Sequence, residues 1–302
     1  MASGGLSGAQ IWQCQSPQGL VALRCWPSAH PTPQRLSEIH AAMLAASQRG
    51  IAFVPAIAKN RHGGTFTSDG KRLWEVTQWM PGTADYLQAP SPQRLQAALQ
   101  ALASLHRAWQ QAPQLPIHTG LSPTVFDRSE KLELYLRQLR DWTRQPLDNS
   151  PHHRLAQQTL QHLAACGPHL HQLLKTLHSQ SVTLHFVLRD VWSDHILFSG
   201  DRVTGIIDFG AARVDEPATD VARLLGSLEP FDQRQWLVGW EAYRAVNPHV
   251  ELERVRVLDR VGTLLSAVQW LQWLVLQPRS FNMATSQLIE RWQRLLLRLE
   301  LM

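Results

Sequence analysis

The hydrophobic period changes five times along the 302 residues of this chain, and that alternation limits its fold more than any other feature. The stretch 11–26, IWQCQSPQGLVALRCW, contains two β-favouring runs joined at Pro17 to Gly19, a hairpin signal. A helix announced by Thr32 and Pro33 follows, with Leu36, Ile39, His40, Met43 and Leu44 on one stripe and Gly50 at its close. A second hairpin, GTFTSDGKRLWEVTQWM, turns at Asp69 and Gly70 and alternates Leu73, Glu75 and Thr77 with Trp74, Val76 and Gln78. Pro81 and Gly82 break that strand. Beyond them Leu95, Leu99, Leu102, Leu105 and His106 recur at helical spacing, as do residues of 130–145 and 153–178. Strand character returns once, in VTLHFVL and ILFSGDRVTGIIDFGAA, with a tight turn at Gly200 and Asp201, before a helical end from Thr219. The pattern predicts an α+β chain with a small β-rich lobe over 1–81 and a larger, mostly helical lobe over 82–302.

Composition narrows the function. With 44% hydrophobic and 18% charged residues the chain can bury a core, and disorder is not its default. Its formal charge of +5 draws anions, but the basic residues are scattered, without the run that marks a nucleic-acid arm. Nucleic acid is therefore not the expected partner, although a steep salt dependence of binding would argue for it. Cys14, Cys25 and Cys166 form no CxxC pair, so neither a disulfide framework nor a zinc knuckle is encoded. A reducing cytoplasm fits. The most apolar late stretch, 264–276, is short and interrupted by Gln269 and Gln272, so neither a membrane span nor a secretion signal is expected.

Inside the β interruption lie LRDVWSDHILF (188–198) and GIIDFGAA (205–212). With the glycine-rich SGGLSGA at the start, the ALR strand, the QWMPG hinge, the SLH helix and DEPATDVARLL (215–225), the order resembles the aminoglycoside phosphotransferase and choline kinase family, relatives of the protein kinases. The resemblance covers nearly the whole chain and implies a bilobal protein-kinase-like fold. It also implies a small-molecule phosphotransferase that uses ATP or GTP with Mg²⁺ or Mn²⁺ to phosphorylate a hydroxyl of a metabolite or an aminoglycoside-like molecule.

Phosphoryl transfer needs in-line placement of the reactants and neutralisation of phosphate charge, so one carboxylate near the acceptor and another on a metal are the minimum set. Asp190 matches the first role and Asp208 the second; the plainer reading has Asp190 capping a turn and Asp208 closing a hairpin. Gly4, Gly5, Ser7 and Gly8 would lay backbone N–H groups along the phosphates, where small residues permit close approach. Only three residues precede Gly4, so the strand expected before this loop is missing, with the chain either truncated at its start or built with a small lobe that lacks its first strand. Arg24 stands where kinases keep a strand Lys, and Glu38 is the only carboxylate on the following helix. Glu38 lies nearly opposite the apolar stripe, which favours a solvated side chain. The hinge from Gln78 to Met80 would offer backbone groups to the purine.

The sequence departs from the family at two loop positions. His195 replaces the Asn that binds a second metal, and an imidazole suits softer ions than Mg²⁺; Asp194 beside it is a possible substitute. Leu188 replaces the supporting His. Trp192 falls within the catalytic loop, where it could line the acceptor site, while Trp270 and Trp273 read as core. Asp220 reads as a helix cap. Only ten residues separate Gly210 from Asp220, leaving no room for a long activation segment, so protein substrates are not expected. The departures keep open an alternative, a pseudokinase that retains the fold and serves as scaffold or sensor.

Overall fold

A computed structural model describes residues 3–4, 8–146, 148, 150–281 and 284–302. In chain order the elements are β1 (Ser3–Gly4), β2 (Gln10–Ser16), β3 (Gly19–Cys25), α1 (Pro33–Gln48), β4 (Thr67–Ser68), β5 (Leu73–Gln78), α2 (Pro92–Gln110) and β6 (His118–Gly120). There follow α3 (Pro123–Trp142), α4 (Pro151–His178), β7 (Val182–Val187), β8 (Ile196–Ser199), β9 (Arg202–Ile206), β10 (Arg213–Asp215), α5 (Ala218–Leu228), α6 (Gln233–Arg244), α7 (Leu252–Leu271) and α8 (Thr285–Glu300). This is the α+β class that the periodicity predicts, with a small sheet and a larger helical part. Among the described residues no helix is long and apolar enough to cross a membrane.

The chain divides into two compact units. The first comprises Met1–His118, His185–Glu229 and Gln233–His249. Its five-stranded antiparallel sheet has the order β1-β2-β3-β5-β4. Asp69 closes the β4–β5 turn by accepting from the Lys71 and Arg72 amides at 2.9 and 2.8 Å and from Trp74 Nε1 at 2.9 Å. The Trp74 bond, then the amides, hold its carboxyl down at about 2. Helix α1 starts where Thr32 accepts from the Arg35 amide, a cap worth about 1 kcal/mol. Leu95, Leu99, Leu102 and Leu105 on α2 are fully buried, which contributes roughly 1.5–3 kcal/mol each. Trp109, one turn on, donates from Nε1 to the Ala42 carbonyl at 2.8 Å and fixes α2 against α1. Two short antiparallel pairs, β8 with β9 and β7 with β10, carry the remaining strands of this unit.

The second unit comprises Thr119–Leu184, Pro230–Asp232 and Val250–Met302, and α3, α4, α7 and α8 make up its helices. Gly167 lets α4 close on α3, because a Cβ there would lie 2.9 Å from Leu136 Cδ2. Trp292 on α8 donates to Thr159 Oγ1 on α4 at 3.0 Å, and the buried Arg298 pairs with Asp259 on α7. Burial pushes the Asp259 carboxyl up, against the pull of that guanidinium.

Candidate active site

All the described candidate residues fall in the first unit. Among the described residues only two non-glycine residues have positive φ, Arg189 at 65° and Asp208 at 63°. One precedes Asp190 and the other is the second aspartate itself. L-residues avoid this left-handed region, and each instance costs on the order of 1–3 kcal/mol and persists only where its surroundings enforce it.

What enforces the first turn is Asp220. Sequence reasoning made this residue a helix cap, but its fully buried carboxylate caps nothing on α5. Its Oδ2 accepts from the Leu188 amide and its Oδ1 from the Arg189 amide, both at 2.6 Å. His106 Nε2 lies 3.0 Å from Oδ2, and His106 Nδ1 lies 2.7 Å from the Tyr243 hydroxyl. The support that Leu188 cannot give thus comes from α2 and α5, and the apolar Leu188 is buried. Arg189 Nε adds a 3.4 Å ion pair to the buried Asp215 on β10.

Asp190 Oδ1 accepts from Arg223 Nη2 at 2.8 Å, a partner the sequence did not single out. Asp208 Oδ1 accepts from Arg24 Nη1 at 3.2 Å. Arg24 therefore faces the DFG-like turn, with its guanidinium 4.7 Å above the Trp26 ring. Its second carboxylate is Glu75, directly opposite it across the β3–β5 ladder, at 3.6 Å from Nε. Glu75 is buried and meets His40 Nε2 of α1 at 2.6 Å. Glu38 instead pairs with Arg35 on its own exposed helix face. The helix contribution to this cluster is a histidine, and the acid comes from the strand.

His195 is bonded at both nitrogens. Nδ1 donates to the Asp190 carbonyl at 2.8 Å, and Nε2 accepts from Trp192 Nε1 at 2.8 Å while standing 3.8 Å from Asp208 Oδ2. This network assigns the tautomer. A metal bound at Nε2 requires Trp192 to release that lone pair. Trp192 here braces His195, ring against ring at 5.3 Å. Among the described residues no group of three or more His, Cys, Asp or Glu side chains is set to hold a metal ion. Mg²⁺ commonly binds through one or two carboxylates with phosphate oxygens and water, a donor set that Asp208 and a nucleotide together can supply.

Of the glycine-loop residues, Gly5 and Ser7 lie outside the described residues. Gly4 lies on the two-residue β1, paired with Gln10, and Gly8 has φ 75°. At the hinge the Gln78 amide donates to the Ala56 carbonyl at 2.7 Å and the Trp79 amide to Leu20 at 3.1 Å. The Met80 side chain is buried, and a Cβ on Gly205 would lie 2.8 Å from its own Cβ.

A five-stranded sheet with one lateral helix, followed by helices and a two-stranded hairpin with the second aspartate in the turn after it, defines a protein-kinase-like fold. The chain belongs to the phosphotransferase enzyme family (APH), whose sequence model matches residues 3–258. It matches no curated protein by sequence. Among solved structures, an aminoglycoside phosphotransferase from Alicyclobacillus acidocaldarius aligns over 99% of this chain and 88% of its own, with 16% identity and TM-score 0.61. The amicoumacin kinase hAmiN, solved with AMP-PNP, Ca²⁺ and amicoumacin, aligns over 99% and 87%, with 14% identity and TM-score 0.64. A choline/ethanolamine kinase family protein from Mesorhizobium loti aligns over 99% and 91%, with 15% identity and TM-score 0.53. The scaffold-only alternative gains no support from these matches.

Proposed function

We propose that the protein transfers the terminal phosphoryl group of ATP or GTP to a hydroxyl of a small molecule. The observation that carries this reading is the pair of left-handed turns at Arg189 and Asp208, each presenting an aspartate next to a guanidinium. Strain of this kind collects at functional sites. Asp190 orients the acceptor hydroxyl and receives its proton. The acceptor oxygen bonds to the γ-phosphorus as the bond from that phosphorus to the β,γ-bridging oxygen breaks, and the nucleoside diphosphate leaves with the electron pair. Arg24, released from Asp208, turns to the phosphates, with the backbone of Gly4, Gly5, Ser7 and Gly8 beside them. Gln78 and Met80 flank the purine. A divalent ion, Mg²⁺ or Mn²⁺, would be held by Asp208, with His195 if Trp192 yields, and would neutralise phosphate charge.

The test separates the two carboxylates. ATP with a divalent ion should raise the melting temperature of the wild-type protein, and Asp208→Ala should abolish that shift. Asp190→Asn should keep the shift while phosphorylation of any acceptor found among pooled hydroxylated metabolites and aminoglycosides falls about 10²–10⁴-fold. A wild-type protein indifferent to nucleotide would end this reading.

A further inference from the structure

Helix α5 meets the catalytic loop with three side chains from one face, since Asp220, Arg223 and Ser227 are spaced i, i+3, i+7. Asp220 takes the amides of Leu188 and Arg189, and Ser227 Oγ takes that of Ser193 at 2.9 Å. Arg223 differs from the other two in being open to solvent. Its side chain is 40% exposed and that of Asp190 is 53% exposed, so the guanidinium stands in water beside the carboxylate assigned to the acceptor hydroxyl. A surface ion pair of this kind contributes little to stability, so fold maintenance is a weak reason for it. A guanidinium is a planar fork of five N–H donors matched to oxyanions.

The charges around it point the same way. An ammonium-bearing acceptor needs unengaged carboxylates, and both candidates here already face an arginine, Asp190 at 2.8 Å and Asp208 at 3.2 Å. A polycation would have to displace Arg223 and then lie against it, on a chain of formal charge +5. An oxyanion could accept from Arg223 while its hydroxyl donates to Asp190. Resting on the phosphotransferase reading above, we propose that Arg223 recognises the acceptor and that the acceptor is an anionic alcohol, with a carboxylate or phosphate close to the hydroxyl that is phosphorylated. Because Arg223 and Asp190 are in direct contact, the two groups of the acceptor lie about 4–6 Å apart, the span of a short hydroxy acid or alcohol phosphate.

The experiment uses acceptors matched except for charge, with ATP and Mg²⁺ or Mn²⁺: glycerate and glycerol 3-phosphate against glycerol, gluconate against glucose, and choline and kanamycin as cations. The expected result is a kcat/KM for the anionic member of at least one pair about 100-fold above its neutral partner, with the cations lowest. The carboxylate and phosphate arms distinguish the two sources of oxyanion. Arg223→Gln should raise KM for the anionic member about 30-fold and narrow the gap within its pair to about 3-fold, and Arg223→Lys should restore part of it. An arginine that only braces Asp190 would instead lower kcat for charged and neutral acceptors alike. Preference for choline or kanamycin, equal rates within every pair (zero included), or such an even loss in Arg223→Gln would overturn the acceptor class and leave the kinase reading standing. Absence of any nucleotide-induced melting shift in the same protein would remove both.

Discussion

His185, on β7, shows how burial sets the behaviour of one side chain. Its Nδ1 donates to the Phe186 carbonyl at 2.7 Å and its Nε2 accepts from Gln110 at 2.9 Å, which leaves no acceptor for a second proton. Burial, and then the neighbouring His106, hold its pKa down at about 3. An unfolded histidine titrates near 6.5, so below that pH the unfolded chain takes up a proton that the folded chain refuses. Its contribution is therefore intact above pH 6.5 and is lost as the pH falls from 6.5 towards 3, at about 1.4 kcal/mol per unit. Urea unfolding of wild type and His185→Gln at several values between pH 6 and 4 should show a slope flatter by one proton in the variant. Parallel slopes would mean that the folded state accepts that proton. At the same scale, the Arg24, Glu75 and His40 cluster had a signal that reading the helix alone passed over. An acid alternating with Leu73 on the inward face of a strand needs a buried partner, and here it has two.

At the scale of elements the turn after β5 is the most sensitive point. Gly82 has φ 99°, and a Cβ there would lie 2.3 Å from Thr204 Oγ1 and 2.6 Å from the Phe198 carbonyl oxygen. Thr83 and Phe198 exchange backbone hydrogen bonds of 3.0 and 2.9 Å across the same contact, so the neighbour that must move is backbone. Gly82→Ala should therefore cost about 3 kcal/mol or more, read as a lower urea midpoint. An unchanged midpoint would show that the turn can relax. The hairpins at Pro17 to Gly19, at Asp69 and Gly70, and at Gly200 and Asp201 were legible because turn chemistry and alternation are local. So were α1 and α2, whose Pro-led starts and apolar stripes are local too. Arg223 on Asp190 and Trp192 on His195 were not legible, because the first is a contact across 33 residues and the second depends on a loop path that no periodicity encodes. Asp220 was read as a cap because it sits in the first turn of a helix; its carboxylate faces the catalytic loop instead.

At the scale of the whole molecule, solved structures only 11–16% identical to this chain align over 99% of it, so the topology persists where most side chains have changed. The candidate site draws on one compact unit, which makes the proposed function testable without an acceptor. With ATP and Mn²⁺, slowed amide exchange is expected in 20–26, 73–80 and 188–209, and not in α4 or α8. Protection centred on α4 or α8 would put the nucleotide elsewhere. The single-faced grip of α5 on the catalytic loop also bears on how this chain can diverge. An α-helix turns about 100° per residue, so one residue inserted within α5 between Asp220 and Arg223 would turn Arg223 and Ser227 away from the loop while Asp220 kept its place. The three side chains are thus held in step by the pitch of α5, like teeth cut on one gear, and their mutual spacing is what this helix cannot change.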